Sequence, residues 1–217
     1  MADLRVCKCP LEEVCSRSEG PFREARRGRY NIIYLQGEPA TQIYFVQRGT
    51  VSLHRMSSEE RALGRTRALR HAGSFIGIEG LIDPNYRDSA RAETDLLLCA
   101  ASRERVADWV HQEQVCWQVL RNVLQTEDEE LLPLAAPDGT ALQRVASWIL
   151  DGNQSERSDN IQRKVIADLL GMRPETMSRA LHTLEREGLV EVSRRSLLIV
   201  DPEGLRRKLL PTPPRPS

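Results

Sequence analysis

The sequence lacks both a net charge and any long apolar run. Its 31 lysine and arginine residues balance 31 aspartate and glutamate residues, so any contact with nucleic acid must come from a local basic patch. No stretch approaches the roughly 20 apolar residues that cross a bilayer. The N-terminal residues have no apolar region typical of a signal peptide. We therefore expect a cytoplasmic protein with no membrane partner.

Histidine is also scarce, and its placement argues against catalysis. The four histidines, at positions 54, 71, 111 and 182, are scattered and form no recognisable catalytic group. We therefore do not expect an enzyme. The 217 residues are enough for one large domain or two small ones.

The five cysteines are distributed unevenly. Cys7, Cys9 and Cys15 crowd residues 1–20, which show no periodicity, whereas Cys99 and Cys116 stand alone. In a reducing cytosol such a cluster more often binds a metal or senses oxidation than forms disulfides. Cys116 lies in a helical pattern, where we expect it to be packed as a small apolar residue.

From Tyr30 to about Ala101 the chain reads as short strands separated by glycine turns, and we assign residues 21–101 to one sensor domain. This regular spacing predicts an antiparallel β-roll or jelly roll. In residues 102–133 the apolar residues recur every three to four positions. This spacing predicts one long amphipathic helix with Ser102 as its N-cap.

The apolar stripe of this predicted helix is narrow and nearly heptad. Such a stripe favours pairing with a second copy over packing on the protein's own β-roll. The acidic residues 127–130 are best read as a solvated acidic face, and the alternative is that one carboxylate faces its twin and opposes pairing. The predicted dimer face comprises Val106, Trp109, Val110, Trp117, Leu120, Leu124 and Asp128.

Residues 138–210 predict a winged helix-turn-helix, and residues 211–217 a disordered tail. A first helix over 162–170 is followed by a turn at 171–173, and Pro174 suits the first position of a second helix. Gly188 suits the position after that helix, and residues 189–200 read as the two strands of a wing. The fold class is therefore α+β.

The second helix of this motif presents a polar face. Glu175, Ser178 and Arg179 share that face, and such side chains suit the reading of base edges: arginine donates to guanine, and glutamate accepts from cytosine. An exposed ion pair between Glu175 and Arg179 is the alternative. The expected phosphate contacts are Arg163, Lys164, Thr176, His182, Arg194 and Arg195.

The segment GMRPETMSRALHTLEREGLVEV resembles the recognition segment of the CRP/FNR regulators, whose helix carries a Glu-Thr-x-Ser-Arg core. Glu175, Thr176, Ser178 and Arg179 match that core. The resemblance extends over the β-roll, the long helix and the winged helix. It implies homodimers on double-stranded DNA, RNA polymerase as a partner, and, for the FNR branch, palindromes with TTGAT- or TTGAC-like half-sites.

The same resemblance leaves two sensor chemistries open. Members that bind cyclic AMP carry a Gly-Glu pair and an Arg-Ser pair, but here Ile78 follows Gly77 and Asp88 precedes Ser89. Glu79 and Arg87 lie one residue out of register, so a distorted site of this kind stays open as an alternative. FNR-type members hold a [4Fe-4S] cluster with four cysteines. The resemblance implies Cys7, Cys9, Cys15 and Cys99 as ligands, although the first gap is Cys-x-Cys where the family usually has Cys-x2-Cys.

Other readings of the cysteines remain open beside the cluster. Four thiolates also suit zinc, and the N-terminal thiols can be oxidised without a metal. An iron–sulfur electron carrier would also need clustered cysteines, but it would not need a winged helix.

Overall fold

The computed structural model describes residues 21–56, 64–131, 139–152, 161–193 and 197–209. It divides into two compact units, residues 1–128 and 129–217. The first contains two antiparallel sheets followed by helices, and the second contains helices and a two-stranded sheet. The predicted α+β class is therefore confirmed.

The described strands of the first unit form two four-stranded sheets, with orders β1-β8-β3-β6 and β2-β7-β4-β5. Strands β1 to β8 span, in order, Arg23–Arg27, Ile32–Tyr34, Gln42–Arg48, Val51–Arg55, Arg65–Arg70, Phe75–Ile76, Ser89–Ala92 and Leu96–Ser102.

Alternation along these strands fills an apolar core. Val51 and Leu53 of β4 are buried, and β7 contributes Ala90 and Ala92 to the same cluster. Gly49 turns the chain from β3 into β4 with a φ of 95°, and a Cβ there would lie 2.6 Å from the carbonyl oxygen of Asp95. Only glycine fits this turn without a shift of the backbone.

Strand β1 lies before the region where the sequence indicated strands. Its sequence, REARR, has no apolar alternation, and it pairs along β8 with Glu24 opposite Cys99. Charged residues are typical of edge strands, because they discourage pairing with another chain. An alternation test therefore cannot detect such a strand.

The single long helix predicted over 102–133 is wrong, because the structure has two. Helix α1 spans Arg103–Val110 and α2 spans Glu113–Leu131. Ser102 caps α1 as predicted, its hydroxyl accepting from the Arg105 N–H at 3.4 Å. The helices part at residues 111–112, where the Gln112 N–H bonds to the Trp109 carbonyl three residues back.

The predicted dimer face divides between two surfaces. Val106 and Trp109 are buried and Val110 packs beside them, all in the cluster that α1 and α2 form with Phe45 of the β-roll. These three residues therefore pack on the protein's own β-roll.

The rest of the predicted dimer face lies on α2. Trp117, Leu120 and Leu124 are 61%, 43% and 57% exposed and leave an apolar stripe uncovered. Cys116 is exposed beside them, so the expectation that it is packed is wrong. The side chain of Asp128 lies outside the described residues.

The second unit has helices α3 to α6, which span Ala141–Gly152, Arg163–Leu169, Pro174–Arg186 and Pro202–Leu209, and strands β9 and β10, which span Val190–Val192 and Leu197–Ile199. Thr140 and Gln143 form a reciprocal cap at the start of α3. Helix α6 packs against α3 and was not predicted, because its eight residues are mostly polar.

Candidate nucleic-acid interface

Helix α5 has one buried and one exposed face. Its apolar side chains, Met177, Ala180, Leu181 and Leu184, are buried, as their spacing predicts. On the exposed face lie Glu175, Ser178, Arg179 and His182.

Contacts at both ends fix the position of α5. The Arg144 guanidinium of α3 donates to the Leu170 carbonyl at 2.9 Å, at the turn between α4 and α5. At the other end, Gly188 has a φ of 72° and lets the chain leave the helix. The Glu185 carboxylate accepts from the Val192 N–H of the wing at 3.2 Å, so the helix and the wing are held together.

The exposed face of α5 has the dimensions of a groove-reading surface. From position 175 to position 182 the helix rises about 10 Å, close to the width of the DNA major groove. Within the described part of the chain, neither Glu175 nor Arg179 takes part in an ion pair through its side chain. The alternative of an ion pair between them therefore has no support, and both side chains are available to a ligand.

The expected phosphate contacts lie in several places. Arg163 and Lys164 are exposed on α4, and the Arg163 guanidinium donates to the Ser193 carbonyl at 3.5 Å. Thr176 is half-buried, whereas His182 is exposed, with its Nδ1 3.9 Å from Glu185. Arg194 and Arg195 lie outside the described residues. The described members therefore occur on both helices of the motif.

Of the predicted cluster ligands, Cys99 alone lies in the described part of the chain. It is half-buried on β8, accepts a hydrogen bond from the Gln47 amide and packs on the cluster under α1 and α2. Phe22, the residue before β1, packs in the same cluster, with its ring centroid 5.6 Å from that of Trp109. Cys7, Cys9 and Cys15 lie outside the described residues.

Comparison with known protein families finds one matching domain family for each of the two units. The Crp-like helix-turn-helix domain family matches residues 143–208, and the cyclic nucleotide-binding domain family matches residues 24–113. The chain belongs to the CRP/FNR family. As a member of this family it is a DNA-binding transcription regulator and not an enzyme.

Individual relatives of this CRP/FNR protein align along most of its length. The nitrogen fixation regulation protein FixK of Azorhizobium caulinodans is 29% identical over 194 residues, 82% of this chain and 76% of the relative. The CRP-like cAMP-activated global transcriptional regulator of Mycobacterium tuberculosis is 25% identical over 196 residues, 83% of this chain and 85% of its own.

Among solved structures, FixK2 from Bradyrhizobium japonicum superposes with a TM-score of 0.69 at 25% identity. The match covers 88% of this chain and 98% of that one. CRP-family regulators are typically dimeric, and the exposed stripe of α2 is the kind of surface that such pairing requires. In the part of the chain that the structure describes, no helix combines the length and apolar character needed to cross a membrane.

Proposed function

We propose that this chain is a cytoplasmic, homodimeric transcription regulator that reads TTGA-type palindromic half-sites and acts together with RNA polymerase. We further propose that a [4Fe-4S] cluster on Cys7, Cys9, Cys15 and Cys99 controls its affinity for DNA. The observation that carries the DNA-binding part is that Glu175, Ser178 and Arg179 are exposed on a helix held at both ends, with no side-chain ion pair of Glu175 or Arg179 among the described residues.

Base reading follows from the chemistry of this set. The Arg179 guanidinium can donate two hydrogen bonds to one guanine, and the Glu175 carboxylate can accept from a cytosine amino group. The adjacent Ser178 hydroxyl can donate or accept. Because α5 is fixed by its neighbours, little backbone freedom is lost on binding, which favours affinity.

The position of β1 supports a cluster that is held jointly by the N-terminal cysteines and Cys99. Glu24 lies opposite Cys99, and Cys15 precedes β1 by eight residues. An extended chain of that length reaches about 28 Å at most, so the three N-terminal cysteines can approach Cys99. The indole N–H of Trp109, in the same apolar cluster as Cys99, is buried and has no hydrogen-bond partner among the described residues.

Cys99 is also placed to influence dimerisation. It packs on the apolar cluster that includes Val115 and Val119 of α2, and the opposite side of that helix presents Trp117 and Leu124. When bound, the cluster would supply a centre that responds to oxygen, nitric oxide or redox state. A change at Cys99 would therefore act on the helix that bears the dimer stripe.

Base reading is tested by fluorescence anisotropy with a duplex that carries a TTGAT palindrome. We expect Arg179→Ala to weaken binding about 10- to 100-fold and to relax the preference for the guanine of the half-site. Arg186→Ala is the matched control, since it removes an exposed arginine from the last turn of the same helix. Equal losses in both variants, or equal binding to a scrambled duplex, would contradict the proposed reading.

The cluster is tested by purification without oxygen. We expect a brown protein that contains iron and sulfide, and a colourless Cys99→Ser variant. Cys116→Ser is the control, because Cys116 is exposed on α2 and is not among the proposed ligands. A colourless parent that contains zinc, or one without metal whose DNA affinity follows thiol oxidation, would replace the iron–sulfur part and leave the DNA-binding part intact.

A further inference from the structure

A buried carboxylate lies between two arginines in the β-roll. Asp88, directly before β7, is 4% exposed. One of its oxygens accepts from Arg55 Nε at 2.7 Å, and the other accepts from Arg67 Nε at 3.0 Å. The two arginine side chains remain 51% and 36% exposed, so the carboxylate is the buried member of the group.

The neighbouring residue is also engaged within the domain. Ser89 is buried, and its hydroxyl accepts from the backbone N–H of Gln36 at 2.9 Å. Asp88 and Ser89 thus connect the start of β7 to β4, to β5 and to the loop after β2. Each of these interactions joins residues that lie more than 20 positions apart in the sequence.

This group does not fit the ligand that the domain family implies. A cyclic nucleotide carries a negatively charged phosphate, which requires cationic or neutral donors that are free to face it. Here the two arginines already face a carboxylate, and that carboxylate would repel a second anion placed beside it. Ile78, which follows Gly77, offers no hydrogen-bonding side chain to a ribose.

We propose that Asp88 is an internal counter-anion for Arg55 and Arg67, and that it prevents this domain from binding cyclic nucleotides. The domain thus keeps the architecture of a nucleotide-binding β-roll, but Asp88 offsets one of the two positive charges of Arg55 and Arg67 from within. Removal of the Asp88 carboxylate leaves two arginines beside a buried hydroxyl, which creates a site for an added anion. This inference does not depend on the iron–sulfur proposal.

Calorimetric titration of the full chain with cyclic AMP, and separately with inorganic pyrophosphate, tests the proposal. We expect no detectable binding to the parent. We expect Asp88→Ala to bind at least about tenfold more tightly than the weakest affinity that the titration detects, because the two arginines, without their carboxylate, favour a new anionic partner. Asp83→Ala is the matched control. Asp83 pairs with Arg87 in the same loop, and its loss changes the net charge equally without freeing Arg55 or Arg67.

The outcomes are distinct. Micromolar binding of cyclic AMP to the parent overturns the proposal, and this measurement does not depend on how any variant folds. A folded Asp88→Ala variant that binds neither anion also overturns the counter-anion role. Should Asp88→Ala fail to fold, the nearly isosteric Asp88→Asn replaces it with the same expected gain. Iron content is measured in parallel, so that failure of the cluster proposal is recognised separately.

Discussion

At the scale of single residues, Tyr30 has an unusual backbone conformation. Its φ is 67°, the one positive value for a non-glycine residue in the described part of the chain. Its N–H donates to the Ala92 carbonyl at 2.7 Å, and its ring lies 4.7 Å from the Arg29 guanidinium and 6.0 Å from that of Arg91. A left-handed conformation costs about 1–2 kcal/mol for most residues, so these contacts must offset it.

Substitution of Tyr30 tests this conformation. We expect Tyr30→Val to lower the free energy of unfolding by about 1–2 kcal/mol more than Tyr30→Asn does, because asparagine tolerates positive φ and a β-branched residue does not. Urea unfolding followed by circular dichroism gives both values. Equal stabilities would mean that the segment adopts an ordinary conformation in solution.

Two stacked tyrosines give the β-roll a pH dependence. The rings of Tyr34 and Tyr86 lie 3.9 Å apart between centroids. Burial raises the pKa of Tyr34 well above its ordinary value, and burial raises the pKa of Tyr86 to about 12 although the backbone of Gln42 lowers it in part. The folded chain therefore keeps protons that the unfolded chain releases.

The sign of the effect follows from this difference in proton binding. The stability contributed by the neutral phenols is fully present below about pH 10, where unfolded tyrosine ionises, and it is lost as the pH rises through about 12. We expect the free energy of unfolding to fall over this interval in the parent, and to fall less steeply in Tyr86→Phe. A Tyr86→Phe variant with the parent's slope would show that Tyr86 does not contribute to the loss.

At the scale of elements, helix α2 links the β-roll to the proposed dimer interface. The Arg70 guanidinium, only 7% exposed, donates to Glu127 at 2.7 Å, and the Asn122 amide donates to the Gly73 carbonyl at 2.6 Å. The turn between β5 and β6 therefore holds one side of the helix. Glu127, one of the acidic residues at positions 127–130, is paired within its own unit.

The ion pair of α2 can be tested by neutralising its acid. Because desolvation already lowers the pKa of Arg70, loss of its partner leaves a buried charge less compensated. We expect Glu127→Gln to lower the free energy of unfolding by at most about 1–3 kcal/mol. The loss should lie toward the lower end of this range, because Glu127 is half-exposed and solvent screens its charge. Asp108→Asn, an exposed acid of α1, is the control, and an equal change in both variants would contradict a special role for this pair.

The exposed side of α2 is tested by a new charge. We expect Leu124→Glu to convert the dimer to a monomer in analytical ultracentrifugation, because it places like charges in the centre of the stripe. Gln125→Glu introduces the same charge at an exposed position beside the stripe and should remain dimeric. A dimeric Leu124→Glu protein would place the interface elsewhere.

At the scale of the whole molecule, the sequence predicted those helix faces and helix ends that depend on the local spacing of apolar residues. The two faces of α5 follow from a spacing of three to four residues, and the Ser102 cap follows from its position before an apolar stripe. The break at residues 111–112 was not predicted, because the predicted apolar stripe was carried across residues 111–114, which contain no apolar residue, and the buried positions resume at Val115. The partners of Asp88 were not predictable either, since they depend on how β4, β5 and β7 pair.

The central claim is that cysteines in one unit control DNA binding by the other. The most direct measurement is the affinity for a TTGAT palindrome, by fluorescence anisotropy, before and after exposure of anaerobically purified protein to air. The account predicts that the anaerobic parent binds at least about tenfold more tightly than the exposed protein, and that Cys99→Ser binds weakly in both states. Equal affinity of the parent in both states would contradict it.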